Sequence, residues 1–211
     1  PAPVVPGTYN TTVTATDDET GKTTTATMTI TVAKRNVTLT AGSTSRKYNG
    51  SALTNSTCTA GTGQLLSGHT VTCTMTAGST VTNVADSPKI NAISTYTILD
   101  ANNNDITSRY NVTTATGTLT VTKADATCTI NSTPTLTYPG ATTGNITYTC
   151  TGDGALSVTS SDTTVITVGT IGATSTPLTA KKVGSSTISV SRAAGSNYNA
   201  ASAKTATVTV A

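Results

Sequence analysis

Along most of this chain, apolar and polar side chains alternate one by one, with Val, Ile, Leu or Tyr on one beat and Thr on the next. A period of two gathers the apolar set on one face of an extended strand. Thr suits the other face, because its β-branch favours extended backbone while its hydroxyl meets water. The pattern predicts strands at 9–16 and 24–32, then at 37–39, 56–60, 70–76, 89–99 and 110–121. A last group follows at 127–130, 145–150, 156–159, 165–168, 187–190 and 206–210. The breaks fall on turn chemistry: Asp17-Asp18-Glu19-Thr20-Gly21, Asn49-Gly50, Gly61-Thr62-Gly63, Ser67-Gly68-His69 and the polar loop 100–105. No helical spacing of apolar residues intervenes between strands, which favours sandwiches over a parallel sheet with crossover helices.

One closing phrase recurs three times. Thr29-Ile30-Thr31-Val32, Thr118-Leu119-Thr120-Val121 and Thr207-Val208-Thr209-Val210 end on valines at the evenly spaced positions 32, 121 and 210. Even spacing of a strand-like ending is the mark of tandem small domains. Residues 34–123 and 124–211 are then two complete sandwiches that differ in their middles, and residues 1–33 are the last two strands of a third. A lone hairpin buries no core. Two readings of 1–33 follow: the tail of an upstream domain cut from a longer protein, or strands that complete a neighbour's sheet in trans. The junctions at 32–37 and 121–126 hold no Gly or Pro and almost no spare length, so the units are expected end to end in an extended rod.

Composition narrows the function. Phe and Trp are absent, only 10% of residues are charged, and the net charge is +3. The basic residues come at most in pairs, such as Arg46-Lys47 and Lys181-Lys182, so no electrostatic footprint for nucleic acid forms. No apolar stretch has the length of a membrane span, and no leader or sorting motif is visible. The chain starts at Pro1 without Met, as a processed or excerpted chain would.

The cysteines fall two to each complete unit. An even count within each domain suggests the disulfides Cys58–Cys73 and Cys128–Cys150 and hence an oxidising compartment; reduced core cysteines are the alternative. A four-cysteine metal site is disfavoured, since there is no CxxC pair and the cysteines belong to different domains. Tyr9, Tyr110 and Tyr198 each precede an Asn near a domain's end, a structural position at the mouth of a sandwich where a hydroxyl can tie a loop to the backbone. Catalytic chemistry is nearly absent: the single histidine, His69, lies in a turn, no serine sits in a nucleophile elbow, and no carboxylate pair is marked. Asp100, Asn102, Asn104 and Asp105 alternate oxygen donors as a calcium loop does, but lack its central Gly and closing Glu, so a polar turn is favoured over a bound cation. Asp17, Asp18 and Glu19 are a similar weak candidate. Glycosylation sequons at Asn10, Asn36, Asn49, Asn55, Asn111, Asn131 and Asn145 arise from a Thr-rich composition.

Several phrases of residues 34–123 resemble the MBG, or YDG, repeat of large bacterial surface proteins. They are Arg35-Asn36-Val37-Thr38-Leu39-Thr40, Tyr48-Asn49-Gly50-Ser51-Ala52-Leu53, Leu66-Ser67-Gly68-His69-Thr70-Val71, Asp105-Ile106-Thr107-Ser108-Arg109-Tyr110-Asn111 and Gly117-Thr118-Leu119-Thr120-Val121. Asn49 stands where that family has Asp. Residues 124–211 resemble a bacterial immunoglobulin-like domain through the phrases 160–168, 182–188 and Asn197-Tyr198-Asn199-Ala200. The expected fold class is therefore all-β, tandem immunoglobulin-like β-sandwich domains in an extended rod. The resemblances imply a non-catalytic stalk or fibre segment of an exported bacterial protein, extracellular, at the cell surface or secreted, with no cofactor. Its partners would be adjacent immunoglobulin-like domains or identical subunits, with residues 1–33 available for strand donation. The alternative is an adhesive module that binds a host glycan or protein through loops or a sheet edge, which the scarcity of aromatics disfavours. Neither nucleic acid nor membrane insertion of this segment is implied.

Overall fold

A computed structural model of the chain describes residues 5–211, and they form tandem all-β sandwich-like domains. Strands β1 (Gly7–Thr16) and β2 (Thr23–Val32) make an N-terminal hairpin. The next group is β3 (Arg35–Ala41), β4 (Thr44–Lys47), β5 (Cys58–Ala60), β6 (Thr70–Met75), β7 (Lys89–Asn91), β8 (Ile93–Leu99), β9 (Tyr110–Ala115) and β10 (Gly117–Thr122). The last group is β11 (Ala124–Asp125), β12 (Cys128–Ser132), β13 (Thr143–Cys150), β14 (Leu156–Ser160), β15 (Ile166–Val168), β16 (Ser175–Ala180), β17 (Gly184–Arg192), β18 (Tyr198–Asn199) and β19 (Ala201–Val210).

The chain condenses into two compact units. One holds described residues 5–43, 54–79 and 90–118; the other holds 44–53, 80–89 and 119–211. The first contains the β1-β2 ribbon, the sheet β5-β3-β9 and the pair β6-β8. Its core is Val37, Leu39, Ile98, Ile106 and Tyr110, with Val71, Cys73 and Val112 packed against it. Strand β3 supplies two of these because its alternate residues Val37, Leu39 and Ala41 all point inward. A disulfide from Cys58 on β5 to Cys73 on β6 joins the two sheets, with the Cα atoms 6.1 Å apart.

The second unit has two cores. Leu53, Val81, Leu119 and Val121 form the smaller, flanked by Tyr48 and Val84, at the sheet β4-β10-β7. The larger lies between the sheets β12-β13-β16-β15 and β14-β17-β19 and includes Leu136, Ile146, Tyr148, Leu178, Ile188 and Val208. Cys128 and Cys150 face each other in the β12-β13 register and are bonded, with Cα atoms 4.1 Å apart, close to the spacing of a non-hydrogen-bonded antiparallel pair. Closing loops of 15 and 22 residues, the two bridges are each expected to contribute about 3 kcal/mol. Denatured, unreduced protein should show no free thiol, and reduction should lower the urea midpoint of both transitions. A midpoint that reduction leaves in place would show the bridges to be idle.

Two of the expected runs are interrupted. The run expected at 89–99 breaks at Ala92, because Asn91 turns inward and donates through Nδ2 to the carbonyls of Gly42 at 2.8 Å and Asn55 at 2.9 Å. The run expected at 110–121 breaks at Thr116, where the strand leaves β3 and joins β4.

Candidate functional site

The hairpin concentrates what is unusual. Register pairs Gly7 with Val32, Tyr9 with Ile30, Thr11 with Met28, Val13 with Ala26 and Ala15 with Thr24, so these ten residues share one face. The other face is Thr throughout, apart from Asn10 opposite Thr29. Val13 is 55% exposed, Met28 50% and Ile30 37%. The antiparallel pair β17-β19 likewise opens with a Gly opposite the closing Val, Gly184 opposite Val210 and Ser186 opposite Val208, yet there the closing valines are 2% and 1% exposed under the facing sheet. The apolar face of β1-β2 is thus a sandwich-type inner face without its cover among the described residues. Neither ten-residue strand carries a charge or a Pro, so its open edges lack the usual guards against further pairing.

At the root of that face lies a cavity of about 350 Å³ lined by Pro6, Val32, Leu66, Arg35, His69 and Arg109. The loop 61–69 that walls it is stitched down. Arg35 donates to the carbonyls of Gln64 at 2.8 Å and Gly63 at 2.6 Å, and Gln64 Oε1 accepts from the Thr38 amide. The hydroxyl of buried Tyr110 accepts from the Leu66 amide at 3.2 Å and shares a hydrogen bond with His69 Nδ1 at 2.6 Å. His69 is therefore a half-buried loop anchor, its one polar contact spent on a tyrosine.

The three singled-out tyrosines take three environments. Tyr110 ties a loop as described; Tyr9 donates to the Val5 carbonyl at 2.7 Å; Tyr198 stacks edge-on against Tyr48, ring centres 5.5 Å apart. Tyr198 belongs to a junction within the second unit. Ala124–Asp125 pairs in parallel with Tyr198–Asn199, Lys47 forms an ion pair with Asp125, and Asn199 donates to the same carboxylate at 2.9 Å. Asn197 Oδ1 accepts from the Val84 amide at 3.0 Å, and Lys123 Nζ donates to the Gly195 carbonyl at 2.8 Å. The hydrogen bonds from Lys47 and Asn199 hold the Asp125 carboxyl below the usual carboxylate range. Sequence reading named Tyr198 with Asn197 and Asn199 beside it, but nothing in it paired them with Tyr48, Lys47, Val84 or Asp125, positions far apart in the chain.

The loop 100–105 spends its oxygens on itself. Asp100 Oδ1 accepts from the amides of Asn102 and Asn104, and Asp105 Oδ1 from that of Thr107, while Asn103 takes a left-handed φ of 61°. These bonds, with that from Asn104 largest, depress the Asp100 carboxyl. Asp17 likewise closes its own turn by accepting from the amides of Glu19 and Thr20, and both depress its pKa. Among the described residues no three His, Cys, Asp or Glu side chains are grouped to hold a metal ion. No helix of the described residues is long and apolar enough to cross a membrane.

No family model and no curated protein sequence matches the chain. Among solved structures, PcdhgB3 EC1-4 aligns with 97% of this chain and 57% of its own, at 8% identity and a TM-score of 0.43. The protocadherin GammaB4 extracellular domain aligns with 96% of this chain and 37% of its own, at 12% identity and 0.39. The D00-D0 domain of intimin aligns with 80% of this chain and 98% of its own, at 12% identity and 0.30. The chain thus spans little more than half the length of the first and about a third of the second, and none of these likenesses transfers a family or a function to it.

Proposed function

We propose that this chain is a structural segment, a stalk or fibre module, of an exported bacterial surface protein, with residues 1–33 as its assembly element. The junction within the second unit carries the reading. A spacer that transmits load needs successive modules to move together, and here the connection at 122–124 is reinforced by a parallel bridge, an aromatic pair, an ion pair and two hydrogen bonds to the backbone. The two disulfides suit an extracellular setting. The resemblance of 34–123 to MBG repeats and of 124–211 to bacterial immunoglobulin-like domains points the same way. For the alternative, a glycan-binding module, support is thin: of the tyrosines only Tyr138, at 45%, stands among the strongly exposed apolar side chains, so no stacking platform assembles among the described residues.

Backbone ¹⁵N relaxation tests the spacer reading. The cores around Leu119 and Tyr148 should tumble with one correlation time. Tyr198→Ala, which removes an edge-on pair worth about 1 kcal/mol, combined with Asp125→Ala, should split it into two. Two separate correlation times in the unaltered protein would sink the reading.

A further inference from the structure

We propose that the apolar face of the β1-β2 hairpin is a docking surface for the same hairpin of a second copy of this chain, packed face to face about a two-fold axis with the acidic tip of each hairpin in the basic cavity at the root of the other. The inference rests on the reading of residues 1–33 as an assembly element and names its partner.

Three features of the face fit a second copy. The first is shape. Bulk peaks one step in from the root, where Tyr9 lies beside Ile30, and falls away on the tip side, where Val13 pairs with Ala26; the end pairs, Gly7 with Val32 and Ala15 with Thr24, are both small. Two copies laid antiparallel at full overlap set Tyr9 and Ile30 of each against Val13 and Ala26 of the other, bulk against small, which keeps two packed sheets evenly spaced at about 10 Å. Met28, central and 50% exposed, then meets the partner near the symmetry axis.

The second feature is charge. The tip reads Asp17-Asp18-Glu19-Thr20-Gly21-Lys22 and is net negative. Asp17 is spent on the turn's own amides, so Asp18 and Glu19 supply the outward charge. The root is positive: Arg35 and Arg109 line a cavity that opens beside Val32, a member of the apolar face, and Lys34 adjoins it. Strands of ten residues run about 33 Å, so full overlap of two hairpins brings each tip over the other's root. A sheet that merely covered the apolar face would leave this pairing of acidic tip and basic cavity without a use.

The third feature is area. A two-stranded face of this length measures roughly 33 by 10 Å, so two copies with their side-chain relief and tip contacts bury on the order of 1,000 Å² in total, the low end of specific interfaces. The association is correspondingly weak and reversible, with a dissociation constant on the order of 10 µM.

Sedimentation velocity of the full chain from about 1 µM to about 1 mM, a range that brackets that constant, reads the outcome. A discrete monomer–dimer equilibrium is expected, weakened by added salt. Met28→Lys should raise the dissociation constant about a hundredfold, since each dimer buries the new charge twice. Asp18→Lys with Glu19→Lys should raise it about tenfold or more, and adding Arg109→Glu to that pair should bring back most of the loss. Asp18, Glu19 and Met28 are exposed and Arg109 is half-buried at the cavity, so far-UV circular dichroism and the melting of both sandwiches should hold in every variant. An open series of higher oligomers, or association indifferent to Met28→Lys and to the charge swap, overturns the face-to-face dimer and leaves an assembly element that works by its strand edges. Monomer at every concentration overturns both, and assigns the face to some other sheet; the spacer reading, tested by relaxation, is untouched by any of these.

Discussion

Tyr148→Ala is expected to cost the larger sandwich about 4 kcal/mol, most of the stability of a domain of this size. With no Phe and no Trp in the chain, Tyr148 is the bulkiest of the fully buried side chains, and it stands on β13 between the strand that bears Cys128 and the central strand β16. Truncation leaves a ring-sized hole that Leu, Ile and Val neighbours on paired strands cannot close without breaking their ladders. A second term belongs to the hydroxyl, which donates to the Gly172 carbonyl at 2.7 Å and shares a hydrogen bond of 2.7 Å with Thr176 Oγ1. Gly172 is half-buried and can turn to water; Thr176 is fully buried and cannot. Tyr148→Phe should therefore cost about 1–2 kcal/mol, the penalty of stranding one buried hydroxyl. Urea denaturation monitored at the larger sandwich separates the two terms. If Tyr148→Phe proves as damaging as Tyr148→Ala, the hydroxyl and not the ring carries the site, and the packing argument falls.

Most strands were legible because a two-residue period survives any detail of packing. Val37 and Leu39, and likewise Val208 and Val210, alternate with Thr and are buried as that alternation requires. Where the period lapses, sequence reading lost the strand. The missed β4 is Thr-Ser-Arg-Lys, with no apolar residue to mark a face, and it forms because β10 lies parallel beside it. The missed β16 carries Pro177, a residue that argues against a strand with neighbours on both sides. Its carbonyl accepts from the Gly169 amide, so its nitrogen points the same way, past the end of β15 at Val168, where no ladder bond is required. The refrain marked closing strands, but nothing in it tells that residues 44–53 and 80–89 gather with 119–211. That grouping depends on meetings such as Val84 with Asn197, residues remote in sequence that nothing in the sequence pairs. The hairpin's two faces were implicit in its alternation, yet their meaning needed the β17-β19 register beside them.

Gly117→Ala is expected to destabilise the protein by about 3 kcal/mol, the opposite sign to the same change at a glycine with open space and an ordinary φ. Gly117 is buried at the point where the chain leaves β9 for β10, and its φ lies outside the left-handed region, so alanine can adopt the backbone conformation without strain. Were there room, the substitution would stabilise by about 0.4–1 kcal/mol through the unfolded chain. There is none: a β-carbon on residue 117 would overlap the carbonyl oxygens of Ala41 and Gly42 and stand 2.7 Å from the Gly42 carbonyl carbon. These are backbone atoms, and no rotamer moves them aside. Neither are they free to retreat, because the Gly42 amide donates to the Thr57 carbonyl at 2.8 Å and the Gly42 carbonyl accepts from buried Asn91. Relief of the overlap thus breaks the contact through which Asn91 holds two loops, and a clash becomes a lost buried hydrogen bond. Gly78→Ala supplies the control, since a β-carbon there meets nothing within 4 Å and no left-handed φ opposes it; it should be neutral or mildly stabilising. Chemical denaturation of the two variants beside the parent decides the matter, and a Gly117→Ala protein as stable as the Gly78→Ala one would show that β3 and β10 do not approach as closely as their shared glycines require.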